Sequence, residues 1–213
     1  MNFLDRFRYR YDNLKELGSD ISSNKKSSNY NNPILKSLLS TSVKVTPEIF
    51  PKIDKCIQSV FKKLEVKNNF NFFISANHNQ TQAACAMMPE SDSAEIIITS
   101  RMIELLNMPE LAYVEGHEIS HHYYQHNIYP SPNQAKSKME LLKLLHLSRA
   151  SEISADRAGF LGSGDIENSL KAMLKIASGL GDEHLTFNFS SYLDQLRELK
   201  QIIGDQNQMY STH

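Results

Sequence analysis

The sequence predicts an α+β fold that is predominantly helical and carries one small β-sheet. Apolar residues recur every three to four positions in five stretches, which predicts five helices at about residues 47–66, 109–127, 139–161, 166–178 and 190–203. Runs rich in β-branched and aromatic residues predict strands at about 70–75 and 94–99, with a weaker one near 83–87. A chain of 213 residues, 40% of them hydrophobic, is long enough for one domain with a substantial core.

Local signals fix where several of these elements begin and end. The first helix is expected to start with Thr46 as its N-cap and Pro47 as its first residue. Asn107 followed three residues later by Glu110 predicts a capping box at the start of the helix at 109–127. Asp165 caps the helix at 166–178, and Gly179 ends it.

The helix at 109–127 carries the most informative motif, His-Glu-Ile-Ser-His at residues 117–121. On a helix, His117 and His121 lie on one face, one turn apart, so both ring nitrogens can reach one Zn²⁺ ion. Glu118 is then placed to activate a water molecule as a general base. Gly116 is small enough to let a neighbouring element approach this helix closely.

A second histidine pair, His122 and His126, has the same spacing. It points at least about 100° away from the first pair and has no carboxylate after its first member. We therefore interpret these two as ordinary polar residues of the helix.

A catalytic zinc site of this class needs a third protein ligand, and the helix at 139–161 offers Glu152. Glu152 falls on one helical stripe with Leu141, Leu145, Ser148, Ala155 and Gly159, so the pattern places a carboxylate where an inward-facing apolar or small residue is expected. A metal ion or an arginine would compensate it. Asp156, one turn later, is expected to accept the outward N–H of a ligand histidine. Surface or ion-paired roles for both acidic residues remain open alternatives.

The histidine motif, together with Ser-Glu-Ile-Ser-Ala-Asp-Arg-Ala-Gly at residues 151–159, resembles the HExxH and ExxxD pair of the gluzincins. This zinc metallopeptidase family includes the HtpX heat-shock proteases and the CAAX-prenyl endoproteases, and the resemblance covers about residues 70–180. It implies a zincin-like fold, one Zn²⁺ per chain held by His117, His121 and Glu152, and Glu118 as the catalytic base.

The family's C-terminal His-Pro and Arg signature is not cleanly present, because His184 is followed by Leu-Thr-Phe. His184 and Tyr192 are candidates to stabilise the transition state, although core or surface roles are the commoner outcome for such residues. The metzincin motif is not matched, since Tyr124 and Asn127 occupy the positions of its glycine and third histidine.

Composition limits the other functions and partners. A formal net charge of −1 lacks the basic excess of a nucleic-acid binder, and no apolar run is long enough to span a bilayer. Cys56 and Cys85 have no CxxC partner and are expected to be reduced, so we expect a soluble, cytoplasmic protein.

Three segments are predicted along the chain. Residues 1–32 would hold an N-terminal helix (1–17) and a flexible polar linker (19–32), followed by a zincin-like domain at 33–204 and a frayed tail at 205–213. We favour a packed or solvated N-terminal helix, and peripheral membrane contact through it stays open.

The expected function is zinc-dependent hydrolysis of peptide bonds in a peptide or protein substrate. The substrate would lie extended along a strand edge at residues 83–88 or 94–99. Two alternatives remain: a zinc-binding module that is catalytically restrained and acts through protein contacts or an activating partner, and a metal-free hydrogen-bond network among the same side chains.

Overall fold

A computed structural model describes residues 2–14, 33–67, 69–77, 79–87 and 93–209 of the chain. The α-helices in these ranges are α1 (Pro33–Thr41), α2 (Pro51–Leu64), α3 (Ser100–Leu105), α4 (Met108–Tyr123), α5 (Lys138–Ser163), α6 (Ile166–Ser178) and α7 (Phe189–Met209). The strands are β1 (Ser42–Lys44), β2 (Phe70–Ser75), β3 (Ala83–Met87) and β4 (Ala94–Thr99). The α+β class with one small sheet is therefore confirmed.

The four strands form one mixed sheet in the order β1-β2-β4-β3. β2 and β4 run parallel, and β1 and β3 are antiparallel to their neighbours. Ile96 and Ile98 of β4 are fully buried beneath the helices. Within the described residues β3 pairs only with β4, which makes β3 an edge strand and β4 an interior one.

The core of the larger unit is centred on α4, which packs along α5. Only small residues allow the observed approach: a Cβ added to Gly116 would lie 2.8 Å from the carbonyl oxygen of Ala158, and one added to Gly159 would lie 2.7 Å from the ring of Tyr113. The close approach predicted at Gly116 is thus present, and it brings the two motif-bearing helices together.

Strand boundaries agree with the predicted ones, whereas several helix boundaries differ. α2 begins at Pro51, because residues 47–49 form a turn closed by a hydrogen bond from Phe50 N to Thr46 O (2.8 Å). α4 ends at Tyr123 instead of 127. α7 runs to Met209, beyond the predicted end near residue 203, and the frayed tail at 205–213 stays a prediction; residues 210–213 lie outside the described ranges.

The N-terminal segment, residues 2–14, does not form the predicted helix. Its only helical element is one 3-10 turn at Leu4–Arg6. Tertiary bonds override the local pattern: Leu4 is buried, and its carbonyl accepts a hydrogen bond from Tyr124 Oη (2.8 Å). The predicted linker at 19–32 lies outside the described residues.

Backbone packing divides the chain into two units, residues 1–179 and 180–213. The first contains the sheet and helices α1 to α6, and the second contains α7. No helix in the described ranges is both long and apolar enough to cross a membrane. The predicted division at residues 32 and 204 stays a prediction.

Candidate metal centre

The side chains of His117 and His121 extend from one face of α4, and their rings converge. Their Nε2 atoms lie 3.1 Å apart, and both side chains are less than one-fifth exposed. The helix is well formed up to this position, since the predicted capping box between Asn107 and Glu110 is present. The four-residue spacing thus converts directly into two converging imidazoles.

Glu152 of α5 completes a set of three potential ligands. Its Oε2 atom lies 3.4 Å from His117 Nε2 and 3.9 Å from His121 Nε2. The circle through these three atoms has a radius of about 2.0 Å, which follows from the three separations and equals a Zn–N or Zn–O bond length of about 2.0–2.2 Å. Two imidazoles and one carboxylate, with an open side, are the donor set of a catalytic zinc site. The residues present therefore fit a zinc ion.

Glu152 lies beside the histidine pair, but only part of the pattern that predicted it is buried. Its side chain is 55% exposed, and Leu141, Leu145 and Ser148 on the same stripe are exposed too. Only the C-terminal part of the predicted stripe, Ala155 and Gly159, belongs to the buried strip of α5, because α4 packs there at very short range. Glu152 lies at the border of that strip and faces the cleft.

Asp156 occupies the position predicted for it behind His117. Its Oδ1 atom lies 3.1 Å from His117 Nδ1 and accepts a hydrogen bond from Tyr113 Oη at 2.7 Å. Tyr113 was not identified from the sequence, although its position one turn before His117 on α4 is the available signal. The pair fixes the proton of His117 on Nδ1 and leaves Nε2 directed toward Glu152.

In the metal-free protein, the pKa values of His117 and His121 are shifted in opposite directions. Burial lowers the pKa of His117, but the hydrogen bonds to Asp156 and Glu152 outweigh it and raise the pKa to about 10. Burial, together with the nearby positive charge of His117, lowers the pKa of His121 to about 4. One imidazolium and one neutral imidazole therefore face Glu152 at neutral pH.

Glu118 is the buried carboxylate of the motif, 9% exposed, beside this set. Burial raises its pKa, and the charge of Glu152 raises it further. The charge of His117 and a hydrogen bond from the Cys85 backbone on β3 act in the opposite direction. A carboxylate of raised proton affinity suits a group that must accept a proton and release it again.

Two cavities meet at His117 and Glu118. A polar cleft of about 530 Å³ contains the three potential ligands and reaches Ala83 and Cys85 of β3. A second cavity of about 370 Å³ is lined mainly by apolar side chains, among them Met102, Val114, Met173 and Ile176. Ala83 borders both cavities.

The interpretation of His126 as an ordinary helix residue is wrong. α4 ends before it, and His126 folds back so that its Nδ1 atom lies 2.8 Å from Nδ1 of His121. Its Nε2 atom lies 2.9 Å from Oδ2 of Asp12 in the N-terminal segment. His122 instead packs its ring edge-on against Phe70. The sequence carried no signal for the His126 turn, because it depends on a partner more than 100 positions away.

His184 and Tyr192 belong to the second unit, residues 180–213, where the His184 side chain is exposed and Tyr192 is half-buried. Their assignment as transition-state stabilisers stays a prediction. Both cysteines are free thiols, and burial raises the pKa of each, as expected for small hydrophobic residues.

Comparison with known protein families shows that residues 47–138 fit the model of peptidase family M48. The matched stretch contains His117, Glu118 and His121 and ends before Glu152. No curated protein matches the chain.

Proposed function

We propose that this chain hydrolyses peptide bonds at the centre formed by His117, His121, Glu118 and Glu152, because residues 47–138 match the model of peptidase family M48, a family of zinc-dependent peptidases. The observation that carries the proposal is the arrangement of His117 Nε2, His121 Nε2 and Glu152 Oε2 on a circle of about 2.0 Å radius, beside the buried carboxylate of Glu118. His117, His121 and Glu152 would hold the metal.

A bound Zn²⁺ ion would supply Lewis acidity and lower the pKa of a water molecule at the open side of the centre. Glu118 accepts the proton of that water as it attacks the scissile carbonyl carbon. The same carboxyl then donates this proton to the leaving amine, so that the peptide C–N bond breaks and one carboxylic acid, which keeps the second hydrogen of the water, and one amine form. The backbone N–H of Cys85 orients the Glu118 carboxylate during both transfers.

The edge strand β3 is the proposed docking element for an extended substrate. β3 borders the polar cleft through Ala83 and Cys85, and among the described residues it pairs only with β4. A peptide can therefore add to its outer edge by backbone hydrogen bonds. The expectation that residues 94–99 serve this purpose is wrong, because β4 is paired on both sides.

The apolar cavity beside Glu118 supports a preference for a large apolar side chain next to the scissile bond. Its volume of about 370 Å³ lies in the range of ligand pockets, and Met173 and Ile176 of α6 form one wall. Val114 of α4, the helix that carries the histidine motif, also lines this cavity. A charged side chain there would lose its hydration without gaining a counterion other than Glu118 or His117.

The decisive experiment compares Glu118→Gln with the wild-type chain. We expect the variant to retain its zinc, measured by elemental analysis, and to lose about 10²- to 10⁴-fold in cleavage of a peptide library. Glu48→Gln, which changes an exposed glutamate in the turn before α2, is the matched control and should match wild type in both measurements. Full hydrolysis by Glu118→Gln would exclude the proposed base.

A second pair of measurements separates the proposal from its alternatives. Glu152→Ala should weaken zinc binding, and unchanged affinity would remove Glu152 from the ligand set. Zinc bound by the wild type without measurable turnover would favour the catalytically restrained module. Absence of zinc binding would favour the metal-free network.

A further inference from the structure

The chain reverses sharply after α4 and brings His126 behind the metal centre. Gln125 adopts a left-handed conformation (φ 58°), and a 3-10 turn at His126–Ile128 follows. A non-glycine residue in this conformation is uncommon and costs conformational energy, so other contacts must compensate it. His126 supplies them, since its side chain is only 6% exposed and contacts His121 directly.

Asp12 holds the far side of the His126 ring. Its carboxylate is fully buried, with Oδ2 2.9 Å from His126 Nε2 and Oδ1 accepting a hydrogen bond from Tyr129 Oη at 2.7 Å. Arg8 Nε donates to Oδ2 at 3.3 Å and balances the carboxylate charge. A buried aspartate with this many donors is fixed in orientation.

The hydrogen bonds that link Asp12, His126 and His121 determine which ring nitrogens carry protons. We propose that Asp12 and His126 are positioning residues of the metal centre, which hold the proton of His121 on Nδ1 and so keep the Nε2 lone pair available for the metal. The inference rests on the proposed function only through the assignment of His121 as a ligand. The Nδ1–Nδ1 distance of 2.8 Å accommodates one proton, so one ring donates and the other accepts.

Only one tautomer of a neutral His126 satisfies both of its neighbours. If His121 donates from Nδ1, His126 accepts at Nδ1 and donates from Nε2 to Asp12. The reverse assignment would direct the Nε2 lone pair of His126 at a buried carboxylate 2.9 Å away, which is repulsive. Each candidate ligand histidine thus has its own carboxylate: Asp156 behind His117, and Asp12, through His126, behind His121.

The contacts from Asp12 through His126 to His121 also connect the N-terminal segment to the metal centre. Asp12 lies outside residues 47–138, and the segment is further fixed by a hydrogen bond from Tyr9 N to Ser154 Oγ of α5 (2.9 Å). By linkage, metal binding at His121 stabilises the docked segment to the same extent that the docked segment strengthens metal binding.

The test measures zinc affinity of the full-length variants by competition with a chromophoric chelator, independently of peptidase activity. His126→Phe keeps an aromatic ring and removes the acceptor for His121, and we expect affinity to fall about 10- to 100-fold. Asp12→Asn keeps the shape and removes the charge, and we expect a smaller loss. His122→Phe changes the neighbouring imidazole of α4, which packs on Phe70, and should leave affinity unchanged.

Two readouts distinguish positioning from a general loss of stability. A structural role alone would lower the free energy of unfolding of the metal-free protein and leave zinc affinity of the folded protein unchanged. In the wild type, zinc should slow hydrogen exchange at the amides of Tyr9 and Asp12, and His126→Phe should abolish this slowing. The visible spectrum of the Co²⁺-substituted protein should shift in His126→Phe and not in His122→Phe.

Zinc affinity of His126→Phe within about twofold of wild type would overturn the proposal, given the expected range. If His126→Phe does not fold, Asp12→Asn decides by the same criterion. Failure of the wild type to bind zinc would refute the proposed function itself, whereas zinc binding without an effect of either variant refutes only the positioning role.

Discussion

Zinc binding to the metal-free protein at pH 8 is expected to release about one proton from His117. The hydrogen bonds to Asp156 and Glu152 overcome the effect of burial and raise the His117 pKa to about 10, so about 99% of this imidazole is protonated at pH 8. Zinc needs the Nε2 lone pair, and the proton there must leave. His121, with its pKa lowered to about 4, contributes no proton.

An ordinary histidine would behave differently under the same conditions. With a pKa of about 6.5, only about 3% of it is protonated at pH 8, and zinc binding would release almost nothing from it. Asp156→Asn removes the carboxylate behind His117, so its pKa should fall toward the ordinary value. The variant is therefore expected to release up to one proton fewer per zinc than the wild type.

Isothermal titration calorimetry in buffers of different ionisation enthalpy measures this number directly. Protons released by a water molecule at the centre are common to both proteins, so the difference between them isolates His117. Asp194→Asn, which changes an exposed aspartate paired with Arg197 on α7, is the control and should equal wild type. Equal proton release by wild type and Asp156→Asn would refute the reasoning.

The same protonation predicts a pH dependence of stability. The folded-state pKa of His117 is raised, so its proton contributes stability that is fully present below about pH 6.5 and is lost as the pH rises through about 10. Urea unfolding of the metal-free protein should show this decline, and Asp156→Asn should flatten it. A wild-type profile that stays flat between these pH values would contradict the assignment.

Three further predictions concern stability and can be measured by urea or thermal unfolding. Gly159→Ala should destabilise the protein by about 1–3 kcal/mol, because the added methyl group would lie 2.7 Å from the ring of Tyr113; a stability equal to wild type would mean that α4 and α5 can separate. Lys175→Met should cost about 3–5 kcal/mol, since it leaves the buried carboxylate of Glu110 without the ammonium group 2.8 Å away; replacing both residues by apolar ones should cost less, and an equal cost would show that the pairing is unimportant. Zinc at about 100 times its dissociation constant should add about 2.7 kcal/mol, and no rise in melting temperature would exclude binding to the folded state.

The sequence by itself determined the elements whose signals are local. The capping box of Asn107 and Glu110 predicted the start of α4, and the runs of β-branched and aromatic residues predicted β2 and β4 at the observed residues. The four-residue spacing of His117 and His121 placed both imidazoles on one face. Such features depend on hydrogen bonds and side-chain directions within a few residues, which the order of amino acids specifies directly.

Only the tertiary structure decided the features that depend on distant partners. Glu152 reaches the histidine pair because α5 packs closely on α4, although its side chain is exposed and the N-terminal part of the stripe that predicted it is exposed as well. His126 turns inward because Asp12, 114 positions earlier in the chain, is buried against it. The N-terminal segment does not form its predicted helix because it makes tertiary contacts of the same kind, such as those of Leu4 with Tyr124 and of Asp12 with His126. Long-range bonds of this kind outweigh the small differences in local conformational preference, and no local pattern in the sequence records them.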